Sequence, residues 1–230
     1  MYRMLLLSRN LSGKGDNNDT KSVAEIRQAR QNAMIKQLAE YYALRIVAGL
    51  VCHLPYRAAL FIGWINAVLI FYVFRFRVAA AKARIRQVFG ARYSNFEINR
   101  IAWKSYRNIV FSAIEMVRLH KITLEWVKSA TNFLPIIEEM KKHASTGRGS
   151  IIAVAHTGSW ELAAVACQLA GIRILSVAAK QKNPLTDAFM NQLRTSTGIE
   201  SIARGSGLMR DILRSLEAGK TLAILPDVRM

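Results

Sequence analysis

The sequence predicts an α/β fold: a parallel-rich sheet with flanking helices, preceded by an N-terminal helical region that associates with a membrane. Three observations predict it. After Gly149, short apolar, largely β-branched runs alternate with helix-length stretches, the pattern of βαβ units. Before Gly149, apolar residues recur at helical spacing instead. Residues 58–74, AALFIGWINAVLIFYVF, then carry no charge over 17 positions.

The elements follow in order. Residues 1–22 are expected to be a flexible tail: 8–21 are polar, and the apolar start at 1–7 is too short for a signal peptide. Residues 23–56 read as helix. Residues 57–76 read as an apolar helix bracketed by Arg57 and by Arg75 and Arg77. A full membrane span wants about 20 apolar residues, so this segment reads as either a buried hairpin or a membrane-embedded or interfacial anchor. Residues 77–88 form a basic helix, with Val78, Ala81, Ile85 and Val88 at helical spacing. Ser94 with Glu97 three residues later is a capping box, opening a helix to about Arg118. Residues 131–143 make a further helix. Strands are expected at 150–155, 172–178, 199–203 and 221–225, with helices at 160–170, 184–197 and 207–217. Asn183-Pro184 marks one helix start and Gly198 its end. The resulting division is a tail at 1–22, a helical region at 23–120 with the apolar segment at 58–74, and an α/β core at 121–230.

Charge narrows the partners. The formal net charge is +18, which favours anionic partners such as a membrane surface or a phosphorylated substrate. Between Arg75 and Arg107 nine Lys or Arg residues face one acid, Glu97, so the excess sits beside the apolar segment. Nucleic acid is disfavoured, because no zinc-finger, RNA-recognition or helix-turn-helix pattern accompanies the charge. Cys52 and Cys167 read as packed thiols. No metal-ligand spacing exists, and His53, His120 and His143 lack nearby partners and receive no role.

The chemistry concentrates in His156-Thr157-Gly158-Ser159-Trp160-Glu161. An imidazole sits where the first strand ends, and a carboxylate where the next helix begins. In parallel sheets ligands bind beyond the carboxyl ends of the strands. His156, Lys180, Arg204 and Asp227 follow the four strands in turn, so four polar residues share one edge; Lys180, Lys182 and Arg204 read equally as a phosphate cradle or as solvated side chains. A neutral imidazole takes a proton from a hydroxyl at physiological pH. Glu161 is expected to fix its tautomer across the strand–turn–helix junction, since along one continuous helix five residues would separate the two by about 140°. No G-x-S-x-G nucleophile elbow exists, which favours direct attack by a substrate hydroxyl over an acyl-enzyme.

These residues resemble the bacterial lipid A biosynthesis acyltransferases, the lauroyl and myristoyl transferases of the H-x4-D/E acyltransferase superfamily. GRGSIIAVAHTGSWELAA resembles the family's Gly-x-Gly, strand and His-x-Gly-Asn-Trp-Glu signature. HLPYRAALFIGWINAVL resembles its N-terminal apolar segment, NPLTDAFMNQLRTSTGIESIAR its Asn-Pro, Arg and Gly block, and LEAGKTLAILPD the block that ends in aspartate. The resemblance implies a glycerolipid acyltransferase-like fold with His156 as general base and Glu161 as its partner. It gives Arg194, Asp227, Glu115, Ser159 and Trp160 substrate-binding or site-closing roles. Ser159 stands where the family usually has Asn, and Trp160 points to the lipid A branch. The implied reaction moves a fatty acyl chain from a thioester, on acyl carrier protein or CoA, to a hydroxyl of an anionic lipid A precursor, with no cofactor or metal. The implied location is the cytoplasmic face of the bacterial inner membrane. Relatives continue with a Gly-rich Phe-Phe-Gly block, so the core is expected to be incomplete at its C-terminus. The alternatives are a glycerophospholipid or glycolipid acyltransferase and a catalytically silent, truncated membrane-binding protein.

Overall fold

Seventeen residues, five in one strand and four in each of three others, carry the hydrogen-bonded ladder that organises the site. In the computed structural model, which describes residues 23–227, β1 (Ser150–Ala153), β2 (Ile174–Ala178), β3 (Glu200–Ala203) and β4 (Thr221–Ile224) form one all-parallel sheet in the order β1-β4-β2-β3. The expected tail at 1–22 lies outside the described residues. The α/β class is the one the sequence predicts.

Helices link the strands: α7 (Trp160–Leu169), α8 (Pro184–Thr195) and α9 (Leu208–Glu217). The first two connections advance across the sheet and the third returns. Right-handed crossovers therefore place α7 and α8 on one face and α9 on the other. The strands are shorter than their sequence signals by one or two residues at their ends, as expected where ladders fray into loops. Asn183 caps α8 by accepting hydrogen bonds from the backbone N–H groups of Leu185 and Thr186.

The chain divides into two compact units, Met1–Ala39 and Glu40–Met230. Helix α1 (Val23–His53) supplies the described part of the first, which is almost entirely exposed. In the second, α2 (Tyr56–Val68) continues into a π-helical turn at Leu69–Val73. Tyr56–Val73 is long and apolar enough to cross a membrane by length and composition. Then come α3 (Val78–Phe89), α4 (Asn95–Val117), a short α5 (Leu124–Ala130) that no sequence signal marked, and α6 (Leu134–Ala144). The expected capping box is present: Ser94 Oγ accepts from Glu97 N, and Glu97 Oε2 accepts from Ser94 N at 2.9 Å.

Helix α4 binds the helical region to the sheet. Its end contributes Met116 to the main core, where Leu119, Ile137, Val165, Cys167, Ile172, Ile174 and Ile199 meet. Two residues earlier, on the other side of the helix, Ile114 joins Ala48, Val51, Ala59 and Phe189 of α8. Both clusters join residues before position 120 to residues after it. Burial of these side chains is the main stabilising term, about 1.5–3 kcal/mol for each large one.

Gly149 precedes β1 where α9 presses in. A Cβ built there would lie 2.3 Å from Leu216 O and 2.5 Å from Leu216 Cα, which are backbone atoms that cannot swing away. Gly149→Ala should cost about 1–3 kcal/mol as overpacking, lowering Tm by about 2–12 °C in a domain of this size. Circular dichroism melting checks this; an unchanged Tm would mean that the close approach of α9 to β1 is wrong.

Candidate active site

Because β1 and β4 are neighbours in register, with Ala153 opposite Ile224, the loops that leave them emerge side by side. The ladder extends one step further through Val154 N donating to Ile224 O at 2.9 Å. Three residues beyond each strand end stand His156 and Asp227. Asp227 holds His156 twice: Oδ2 accepts the backbone N–H of His156 at 2.7 Å, and Oδ1 lies 2.7 Å from ring Nδ1. An ionised carboxylate only accepts, so Nδ1 is the protonated nitrogen and Nε2 carries the lone pair. The hydrogen bond from the His156 side chain, and then that from its backbone, lowers the pKa of Asp227 below its ordinary value. The two side chains are about one-third exposed, so the pair is open to substrate and proton exchange. Trp160 packs edge-on against the imidazole, with ring centroids 4.9 Å apart.

Between His156 and Trp160 the chain must turn from strand to helix. Gly158 makes the turn at φ 66°, a conformation that costs glycine little. The turn is fastened from outside by Ser112 of α4, whose hydroxyl reaches Gly158 O at 2.9 Å. Ser159 occupies the N-cap position of α7 but makes no side-chain cap bond; its Oγ is buried and has no hydrogen-bond partner among the described residues.

Glu161 goes elsewhere than expected. The tautomer-fixing partner anticipated for His156 was Glu161, but the carboxylate on the ring is that of Asp227. Glu161 instead meets Arg194 of α8, which donates from Nη2 at 2.7 Å and from Nε at 3.0 Å to Oε1. Both side chains are more than four-fifths buried. Their positions explain the pairing: α7 and α8 pack on the same face of the sheet, so residues at the start of one and the end of the other meet. The fork of Arg194 is thereby engaged by a carboxylate, not turned outward. Lys180, Lys182 and Arg204 follow strands two and three and are exposed; no hydrogen bond draws them to His156.

Glu115 lies near the end of α4, where its Oε1 accepts a hydrogen bond from Tyr56 Oη at 2.7 Å. Burial, then this bond and the nearby carboxylate charge, raise the Tyr56 pKa far above its usual value. Trp126 of α5 packs edge-on against Tyr56, with centroids 5.3 Å apart. Nothing in the sequence singled out Tyr56 or Trp126; the contacts depend on α2, α4 and α5 meeting. A cavity of about 380 Å³ opens beside them, lined among others by Asn108, Phe111, Glu115, Phe133, Ser159 and Leu162. It is mostly apolar and adjoins the same turn that carries His156, a combination typical of a ligand pocket. Among the described residues, no three His, Cys, Asp or Glu side chains cluster as metal ligands would.

A base poised on a carboxylate beside an apolar cavity suits proton removal from a hydroxyl next to an acyl chain. The sequence profile of the bacterial lipid A biosynthesis acyltransferases matches residues 28–230. The chain belongs to that family. No curated protein matches it at a significant level. Membership brings an acyltransferase function of the lipid A type. In this member of the family, Glu161 pairs with Arg194 of α8, and the imidazole is held by Asp227.

Two outcomes follow from these two side-chain pairs. The folded pKa of Asp227 is lowered, so its stabilisation is complete above the unfolded value, about 3.9, and is lost as pH falls through the folded value. The Tm difference between the native chain and Asp227→Asn should therefore be full near neutral pH and shrink below about pH 3.9. Arg194→Met should strand the Glu161 carboxylate and cost about 2–3 kcal/mol, below the range for fully buried pairs because some solvent reaches it. Adding Glu161→Gln should recover part of that loss in urea unfolding.

Proposed function

We propose that the chain is a membrane-associated acyltransferase that moves a fatty acyl chain from a thioester, on acyl carrier protein or CoA, to a hydroxyl of a lipid A precursor. The 2.7 Å contact between His156 Nδ1 and Asp227 Oδ1 carries this reading, since it leaves Nε2 as the proton acceptor. The acceptor hydroxyl gives its proton to Nε2 as its oxygen attacks the thioester carbonyl. Asp227 stabilises the imidazolium that forms. The tetrahedral intermediate then collapses, the carbon–sulfur bond breaks, and the thiolate takes the proton back from Nε2. An ester and a free thiol result, and atoms and charge balance without a cofactor or metal.

The other residues take supporting roles. The Glu161–Arg194 pair holds the start of α7, and with it the turn bearing His156, against α8. Trp160 fixes the ring plane. The cavity at Glu115 and Ser159 receives the acyl chain, whose methylenes suit its apolar wall. The excess positive charge favours a phosphorylated, anionic acceptor. Such a lipid is available at the cytoplasmic face of the bacterial inner membrane, where the soluble acyl donor also is.

Incubation of the purified chain with an acyl carrier protein or CoA thioester and a hydroxyacylated, phosphorylated glucosamine disaccharide tests the reading by mass spectrometry. Acyl addition is expected. His156→Ala should reduce it by about 10³–10⁴-fold, and Asp227→Asn by about 10²–10⁴-fold. Turnover by His156→Ala at the native rate would overturn the mechanism, and no acyl addition by the native chain would favour a silent membrane-binding protein.

A further inference from the structure

The apolar segment Tyr56–Val73 is 18 residues long, about 27 Å as a helix, so its length fits either a crossing or a path along the surface. The packing decides between them. Ala59, Gly63, Ala67 and Phe71, spaced by four, form the buried stripe. Ala59 shares a cluster with Ile114. At Gly63 the helices approach so closely that a Cβ would meet Ile114 Cγ1 at 3.1 Å. Phe71 packs with Ala102, Trp103 and Tyr106. Residue numbers rise on one helix as they fall on the other, so α2 and its π-turn lie antiparallel along α4 for their whole length. Within that paired stretch α4 carries Lys104 and Arg107, and through Ser112 it is fastened to the turn at Gly158. A helix that crossed the bilayer would drag these charges, and the edge of the sheet, into hydrocarbon.

The opposite side is open and apolar. Phe61, Trp64, Ile65, Leu69, Tyr72 and Val73 are each at least 41% exposed. At the end of the π-turn, Arg75 and Arg77 adopt φ of 49° and 54°, a left-handed conformation that bulky side chains rarely hold, and the chain bends into α3, which continues antiparallel along α4 through Val78 near Ala102 and Arg86 on Asn95. Exposed cations therefore flank the apolar stripe: Arg57 at one end, and Arg75 and Arg77 at the other.

We propose that this stripe lies flat in the surface of an anionic lipid bilayer, its apolar side chains below the headgroups and its basic rim among the phosphates, with both ends on the same side. The rim argues for lipid over a second copy of the chain, because two copies joined by this face would set like charges against each other. The inference rests on the proposed reading only in taking the substrate to be a membrane lipid.

Flotation with vesicles of phosphatidylglycerol and phosphatidylcholine, compared with phosphatidylcholine alone, measures the contact without any reaction. Binding to the anionic vesicles is expected, weaker to neutral ones, and unchanged by His156→Ala. Phe61→Glu combined with Leu69→Glu, both at exposed positions, should weaken it by about tenfold or more with an unchanged circular dichroism spectrum. Arg57→Cys and Arg77→Cys, each in a Cys52→Ser background, report the path. An impermeant thiol reagent outside the vesicles should label both; labelling of one alone would mean a crossing and overturn the proposal. Failure to float with anionic vesicles would overturn it too, as would self-association abolished by the glutamates in the absence of vesicle binding. Loss of turnover with vesicle binding intact would count against the acyltransferase reading and leave this one standing.

Discussion

The parallel pairing of β1 with β4 is the constraint on which the site depends. His156 and Asp227 are 71 residues apart in sequence. They meet because two strands formed at opposite ends of the α/β region lie side by side, in a register that ends both at the same height. The third connection must return across the sheet for this to happen, and α9 makes that return on the face opposite α7 and α8. A slip of this pairing would part the carboxylate from both the backbone N–H and the ring nitrogen it holds. Gly149 belongs to the same constraint, since only a residue without a Cβ lets α9 approach the start of β1 this closely.

Helix α4 extends that order outward. One end enters the main core, the middle wall faces the cavity, and a serine pins the glycine turn. Its remaining face carries the apolar helix α2 along its length. The turn that holds the imidazole is thus tied through a single rigid element to the surface most suited to lipid. A lipid-borne hydroxyl and a base meet readily if the base is mounted a fixed distance from the membrane plane. The Tyr56–Glu115 hydrogen bond adds a second tie between α2 and α4, beside the cavity, and its buried setting strengthens it relative to one in water.

Two carboxylates compete for the description of the site, and geometry separates them. Glu161 is close to His156 in sequence, yet it starts a helix whose first turn faces α8. A nearly buried carboxylate needs a counter-charge, and Arg194 supplies a planar fork at the right height. Asp227 is distant in sequence but sits on an open edge, where a partly solvated carboxylate remains ionised and can serve an imidazole.

Much of the fold was legible locally. Alternation of apolar runs and helix-length stretches marked the four strands and the helices between them, because burial on both faces of a parallel sheet forces near-continuous apolar strands. Ser94 and Glu97 announced a helix start, and Asn183-Pro184 another, because capping is a matter of three or four adjacent residues. The short α5 left no such trace, as seven residues make fewer than two helical turns, too few to show a periodicity. His156 was legible from its place at a strand end, and Asp227 from the edge it shares. What the sequence by itself determined was the element order, the place of His156 at the end of the first strand, and the family. Strand order, and with it the exchange of Asp227 for Glu161 at the imidazole, was decided by tertiary structure alone, as was the laying of α2 along α4. Both turn on which elements become neighbours, and that follows from crossover handedness and from the summed packing of residues far apart in the chain.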